Sequence, residues 1–173
     1  SIEMRVIGTS LRSGVGKDKT GVTLATFLAF AIFPEDTVVP AAVFDTLADS
    51  IVADAQPEQG IRSARGKAAA NVRKALLALL RCSLVQGSMG GLSQHDIVRG
   101  YTLATVRDAV PGGAKAMQRS AVKAMLAALE PKEPPPDLLR YSIAHLAKHV
   151  AEARHDANGA RAEGDDEEGD DGG

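Results

Sequence analysis

Residues 61–86, IRSARGKAAANVRKALLALLRCSLVQ, carry the strongest helical pattern in the chain and decide its fold class. Apolar side chains recur there at intervals of one helical turn: Ala68, Val72, Ala75, Leu76 and Leu79. Lys67, Lys74 and Arg81 are spaced by seven residues, which places them on the opposite face of the helix. We call these three cations the first basic ridge. The pattern predicts an amphipathic helix with one buried face and one cationic face.

A second helix of the same kind is predicted over residues 114–129, after a break at Pro111, Gly112 and Gly113. Its inward face is formed by residues at helical spacing: Met117, Ala121, Ala124, Met125 and Ala128. Its opposite face carries cations at every fourth residue, which we call the second basic ridge: Lys115, Arg119 and Lys123. The chain therefore predicts two helices that each present a cationic face.

Helical patterns cover most of the remaining chain. Residues 20–33, 38–55, 93–110 and 138–157 are predicted helices, separated by proline, glycine or polar segments. Residues 4–9 are predicted as a short strand or an extended arm. The sequence therefore predicts a mainly α-helical protein of about five or six helices, with an extended N-terminal arm, a helical C-terminal arm and an acidic tail.

Composition divides the chain into four segments. Residues 1–19 form an N-terminal arm and loop, and residues 20–130 form a helical core with a basic middle. Residues 131–158 contain a proline-rich spacer and the last helix, and residues 159–173 are an acidic low-complexity tail. The two arms and the tail are the segments expected to link successive copies of the protein.

Charge is segregated along the chain although the formal net charge is only −2. Residues 1–59 carry a net −4, residues 60–129 carry +9 and residues 130–173 carry −7. Asp96 and Asp108 are the only acids in the basic block, so pairing within the block leaves most of its charge unbalanced. This layout indicates a polyanionic partner. The candidate nucleic-acid-binding residues are the cations of this block: Arg62, Arg65, Lys67, Arg73, Lys74, Arg81, Arg99, Arg107, Lys115, Arg119 and Lys123.

The expected mode of binding is contact with the phosphate backbone. Tyr101 is the one aromatic residue in the basic block, which is too few for platforms that stack bases. Closely spaced cations neutralise phosphates and release counterions, which gives salt-sensitive binding without sequence preference. The acidic tail competes with nucleic acid for the cations or docks on a neighbouring subunit, and a purely solubilising tail is the alternative.

Residues 12–20, RSGVGKDKT, form a glycine-containing loop before a predicted helix. This loop resembles the deviant Walker A loop (KGGVGKTT) of the ParA/MinD family of partitioning ATPases, and residues 41–45 (AAVFD) resemble a Walker B strand. The resemblance implies nucleotide binding through Lys17. Asp18 stands where that family has a hydroxyl residue beside Mg²⁺, and a carboxylate there repels phosphate. A partitioning-type ATPase is therefore kept as an alternative function.

Residues 92–110, LSQHDIVRGYTLATVRDAV, resemble a helix-turn-helix with Gly100 at the turn. The spacing between Ile97 and Ala104 is about two residues shorter than such units use, and the second helix offers only Thr105 and Arg107 to a groove. A plain helical hairpin is the favoured interpretation. A DNA-binding regulator is the second alternative function.

Other chemistry has little support in the sequence. His145, His149 and Glu152 lie one turn apart on a predicted helix, but no motif context makes them a metal site. No set of acid, base and nucleophile stands out, so we expect neither an enzyme nor a bound cofactor or metal. A single cysteine, Cys82, and the lack of a long apolar run or signal peptide favour an intracellular (cytoplasmic) or virion protein that is neither secreted nor membrane-spanning.

These observations favour one hypothesis over the two alternatives. The protein is expected to be a self-assembling, sequence-nonspecific nucleic-acid packaging protein, most concretely a viral nucleocapsid or coat subunit. Its partners would be nucleic acid, with RNA favoured over DNA, and further copies of itself in a homo-oligomer. The two basic ridges would bind the phosphate backbone.

Overall fold

The computed structural model describes residues 2–15, 18–55 and 65–154, apart from the side chains of residues 14, 15, 65 and 66. Within these ranges the chain forms seven α-helices and one short β-hairpin. The elements in chain order are α1 (Ile2–Val15), α2 (Val22–Ala29) continued by a 3₁₀ turn (Phe30–Ile32), α3 (Ala41–Ala55), α4 (Arg65–Arg81), β1 (Gln86–Ser88), β2 (Gly91–Ser93), α5 (Asp96–Ala109), α6 (Gly113–Leu129) and α7 (Pro136–Arg154). The mainly helical fold is confirmed.

Helix α2 lies at the centre of the domain because it is apolar on every side. Its residues Val22, Phe27 and Leu28 are buried, and it packs against α1, α3, α4 and α5. The 3₁₀ turn after it continues the core with Phe30, whose ring lies 4.8 Å from that of Phe44 on α3. The core is therefore built around the segment that has the fewest polar residues.

Helix α4 has the two faces that its sequence predicts. The residues of the apolar stripe are all buried: Ala68, Val72, Ala75, Leu76 and Leu79. They pack against α2 and α3. Lys67, Lys74 and Arg81 are exposed on the other side. Complete burial of a leucine contributes about 1.5–3 kcal/mol, so this stripe is sufficient to fix which face of α4 points outward.

The N-terminal segment differs from the expected strand or extended arm, because residues 2–15 form helix α1. Ile7 and Leu11, one helical turn apart, are buried against the domain. A Cβ added to Gly8 would lie 3.3 Å from the hydroxyl of Tyr101, so this glycine allows α1 to approach α5 closely. The β-branched residues that suggested a strand are therefore accommodated on a helix by tertiary contacts.

The glycine-rich segment after α4 is an ordered hairpin, whereas the sequence predicted only a flexible break. Gly87 has φ 97°, and a Cβ there would lie 2.1 Å from the carbonyl oxygen of Gly91, so no other residue fits. Leu92 and Val39 exchange two backbone hydrogen bonds of 2.9 and 2.8 Å. This bridge holds the hairpin against the segment that leads into α3.

The last helix, α7, begins close to the predicted boundary and packs against α6 and α3. Leu138, Tyr141 and His149 are buried on its inner face. The ring of Tyr141 meets that of Phe33 edge-on at 6.0 Å. The described part of α7 is therefore seated on the helical core. In the ranges that the structure describes, no helix is long and apolar enough to cross a membrane.

Candidate nucleic-acid interface

The first basic ridge lies on the exposed face of α4. A helix rises about 1.5 Å per residue, so Lys67, Lys74 and Arg81 are about 10 Å apart along its axis. The whole helix, RGKAAANVRKALLALLR, contains five cations and no carboxylate. An opposite face that is fully buried prevents this helix from turning its cations away from solvent. The ridge is thus a fixed row of positive charge.

Arg73, a further candidate on α4, is already paired. Its Nε donates a hydrogen bond of 2.8 Å to Oδ1 of Asp45 on α3, and its Nη2 donates to Oδ2 of the same carboxylate. This bidentate contact raises the pKa of the Arg73 guanidinium above its ordinary value. The charge of the basic block is therefore reduced by an acid from outside it. Arg73 acts as a link between α3 and α4.

The second basic ridge is divided by the fold. Arg119 and Lys123 are exposed on α6, whereas Lys115 in the first turn is half-buried and lines a cleft between α5, α6 and α7. Only part of the predicted row therefore faces solvent. The fold therefore places Arg119 and Lys123 on the surface and Lys115 in the cleft.

An acidic strip lies between the two ridges. Helix α3 packs against both α4 and α6, and its residues Asp45 and Asp49 line a groove that is closed on the other side by Ala124 and Ala128 of α6. The groove has a volume of about 330 Å³. Asp49 places negative charge at its wall and Asp45 neutralises Arg73, so the two ridges do not form one continuous cationic surface.

The remaining candidates are distributed over other places. Arg107 is exposed on α5, and its Nε donates a 3.0 Å hydrogen bond to Asp108, which raises the pKa of the guanidinium. Arg99 lines the cleft that also contains Lys115. Arg62 lies outside the described residues, and Arg65 begins α4 with a side chain that is not described.

Residues 12–15 of the loop that resembles a Walker A motif belong to helix α1, so the described part of this loop differs from that motif. The segment before it is helix α1 instead of a strand, and residues 41–45 lie in helix α3 instead of a Walker B strand. Lys17 is outside the described residues. The carboxylate of Asp18 accepts hydrogen bonds from the backbone N–H groups of Thr20 at 2.8 Å and Thr23 at 2.7 Å.

These bonds make Asp18 the anion at the N-terminus of α2. They lower the pKa of Asp18 from 3.8 to about 2 against the opposing effect of its desolvation, because the amides and the hydroxyl of Thr20 favour the charged form. The N–H group of Thr23 in the first turn of α2, where an anion would bind, is thus occupied by the side chain of Asp18. The geometry gives the ATPase alternative no support.

The helix-turn-helix prediction for residues 92–110 is wrong, as is the helical hairpin. Helix α5 runs without a break from Asp96 to Ala109, through Gly100. Gly100 is exposed, with no atom within 4 Å of an added Cβ, so nothing there requires a turn. His95 caps the helix by accepting the N–H of Ile97 at 3.4 Å.

The histidines of α7 are used in packing. His149 is fully buried, and its Nε2 lies 2.7 Å from the hydroxyl of Tyr141. His145 lies against the same ring, with 4.8 Å between ring centres. Among the residues that the structure describes, no group of three potential ligands is close enough to hold a metal ion.

The cleft between α5, α6 and α7 was not predicted from the sequence. It is bordered by Arg99, Lys115 and Lys148, one cation from each helix, together with the buried amide of Gln118. The signal in the sequence is weak, because Lys148 lies in residues 130–173, the segment with a net charge of −7. Only the packing of three helices brings Lys148 to the same cleft as the other two cations. No family model, no curated protein and no solved structure matches this chain.

Proposed function

We propose that this protein binds nucleic acid without sequence preference, through contacts from the first basic ridge to the phosphate backbone. The observation that supports this most strongly is helix α4, which has five cations, no carboxylate and a buried opposite face. A row of this kind meets phosphates at a fixed spacing without rearrangement of the domain. Such binding requires no contacts with the bases.

The acidic strip supports one direction for the proposed strand over another. A strand that crosses from α4 to α6 would pass Asp45 and Asp49, whereas a strand that follows the first basic ridge meets three exposed cations. We therefore place the strand along the axis of α4. Arg119, Lys123 and Arg107 then contribute long-range attraction instead of direct contacts.

We further propose that the protein packages nucleic acid as a self-assembling structural subunit, most concretely a viral nucleocapsid or coat protein in the cytoplasm or virion, and that RNA is its main ligand. Large apolar side chains on two outer helices are exposed and suit contacts between copies, among them Ile2 at 73% and Ile143 at 80% exposure. The acidic tail lies outside the described residues, and its proposed role is competition for the cations or docking on a neighbour. The proposal assigns the protein no catalytic activity and no bound cofactor.

The test compares two triple charge reversals by fluorescence anisotropy with unrelated single-stranded RNA and DNA oligomers. Lys67→Glu, Lys74→Glu and Arg81→Glu together should weaken binding at least tenfold, equally for every sequence, because three attractive contacts become repulsive. The matched control reverses three exposed cations elsewhere, Arg12, Lys132 and Arg140, and changes the net charge by the same amount.

The control should weaken binding much less than the ridge variant. Equal losses in both variants would show that net charge matters and the ridge does not. Unchanged binding in the ridge variant would contradict the proposal. Binding of the wild-type protein to an acidic protein but to no oligomer at low salt would assign the ridge to another polyanion.

A further inference from the structure

The inner face of α7 is polar where it packs on the rest of the domain. Three of its four buried residues carry polar atoms: Tyr141, Ser142 and His149. The Oγ of Ser142 and the Nδ1 of His149 are buried and have no hydrogen-bond partner among the residues that the structure describes. A buried polar atom without a partner costs free energy, because the same atom binds water when it is exposed. Helix α7 therefore packs less favourably than α4, whose buried stripe is entirely apolar.

His149 is the residue of this face that is most sensitive to acid. Its ring is fully buried, its Nε2 lies 2.7 Å from the hydroxyl of Tyr141, and it meets the ring of Phe33 edge-on at 6.0 Å. Within the described residues, neither ring nitrogen has a carboxylate as its hydrogen-bond partner. A proton added to the docked ring would therefore place a charge among aromatic side chains without a counterion.

The elements around His149 provide no acid to stabilise that charge. Helix α6, GAKAMQRSAVKAMLAAL, contains no carboxylate. Asp45 and Asp49 of α3 line the separate groove against α6, and no described residue of α7 lines that groove. On α7 itself, His145 and Lys148 lie close enough for their charges to oppose a proton on His149. The charged groups of the adjoining cleft are mixed in sign: Arg99, Lys115, Lys148, Glu35 and Glu152.

Helix α7 is attached to the rest of the described domain in a way that allows it to leave alone. It is the last described element, residues 130–135 join it to α6, and it packs mainly on α6 and less on α3. We propose that mild acid releases α7 as a unit while the core around α2 and α4 stays folded, because His149 takes up a proton once its ring reaches water. Release uncovers the ring of Phe33, which Tyr141 and His149 cover in the docked state.

The size of the effect follows from the two states of the ring. Burial, with the nearby charges of His145 and Lys148, lowers the pKa of His149 from 6.5 to about 4 in the docked helix, whereas the released ring has the ordinary value. The released state binds the extra proton, so it gains on the docked state as the pH falls from 6.5 toward 4. Between about pH 7 and about pH 5 the fraction of molecules with α7 released should rise about twentyfold.

Native-state hydrogen exchange of the full chain, followed by mass spectrometry at the two pH values, tests the proposal. After correction for the chemical exchange rate, the amides of α7 should open about twentyfold more often at the lower pH. They should also open at least about tenfold more often than those of α4 at that pH. Equal opening of α7 and α4 would overturn the proposal, because α7 would then open only when the whole domain unfolds. This comparison is made within the wild-type protein and needs no variant.

Two variants assign the effect to one imidazole. His149→Gln cannot titrate and should remove the pH dependence of α7 opening. The matched control His95→Gln, at an exposed histidine before α5, should retain it. A dependence that persists in His149→Gln, or disappears in His95→Gln, would overturn the assignment. The proposal is independent of nucleic-acid binding, because the first basic ridge lies on α4, so a failure of oligomer binding would reject only the nucleic-acid proposal.

Discussion

Acidification should destabilise this protein because of one buried imidazole. His149 is fully buried on α7, where its Nε2 faces the hydroxyl of Tyr141 and its ring meets that of Phe33 edge-on. Burial, together with the nearby charges of His145 and Lys148, lowers the pKa of His149 from 6.5 to about 4. The folded state therefore holds this ring neutral at pH values where the unfolded chain protonates it.

The sign and size of the effect follow from proton linkage. Because the unfolded state binds the extra proton, stability is fully present above the unfolded pKa and is lost as the pH falls from about 6.5 toward 4. One unit of pKa shift corresponds to about 1.4 kcal/mol, so the complete loss is about 3 kcal/mol. Between about pH 7 and about pH 5 the free energy of unfolding should fall by about 2 kcal/mol from this group. That is a large part of the stability of a typical domain.

Urea denaturation followed by far-ultraviolet circular dichroism at the two pH values measures this difference. His149→Gln keeps a polar partner for Tyr141 but cannot titrate, so the pH dependence of its stability should be smaller than that of the wild type by about 2 kcal/mol. His145→Gln, a change at the half-buried histidine on the same helix, should retain most of the dependence. An unaltered dependence in His149→Gln would refute the reasoning. If that variant does not fold, an NMR titration of His149 in the wild type decides, because the ring should remain neutral at pH 5.

Three further substitutions test other parts of the account. Leu76→Ala removes a fully buried side chain of α4 and should lower the free energy of unfolding by about 2–5 kcal/mol in urea titrations, and a loss below 1 kcal/mol would mean that α4 is loosely packed. Asp18→Ala removes the carboxylate that caps α2 and should lower the free energy of unfolding by about 1 kcal/mol near neutral pH. This difference from the wild type should disappear as the pH falls through 3.8 toward 2, because the wild-type carboxylate becomes protonated. A difference that persists at low pH would show that it does not come from the charge of Asp18. Asp45→Asn weakens the pair with Arg73 and removes one charge of the acidic strip, so it should tighten binding to single-stranded oligomers severalfold in anisotropy titrations, and weaker binding would contradict the proposed repulsion.

The helices were predictable because their signal is local. The apolar spacing in α4 and α6 depends on neighbours three and four residues away. The structure places α6 within one residue of its predicted bounds, whereas α4 ends at Arg81, five residues before the predicted end. Helix α1 was missed because Val6 and Ile7 favour strands, and only its contact with α5 makes the helix the better state. The hairpin at Gly87 was missed because a glycine-rich segment has no periodicity to show that it is ordered.

The surfaces were less predictable than the helices. The exposure of Lys67, Lys74 and Arg81 followed from the pattern of one helix. The pairing of Arg73 did not, because its partner Asp45 lies 28 residues earlier in the chain. The cleft between α5, α6 and α7 is formed by three helices whose relative positions cannot be read from any local sequence pattern. Sequence reasoning therefore identified candidate cations, and the fold determined which of them act together.

The salt dependence of oligomer binding tests the central claim most directly. The measurement is the slope of log Kd against log salt concentration for single-stranded RNA, for the wild type and for the triple reversal of Lys67, Lys74 and Arg81. Each phosphate contact contributes about 0.7 to the slope for a single strand, so loss of three contacts should reduce the slope by about 2, with no dependence on the oligomer's sequence. A slope that is the same in both proteins would contradict the proposal that the first basic ridge binds the phosphate backbone.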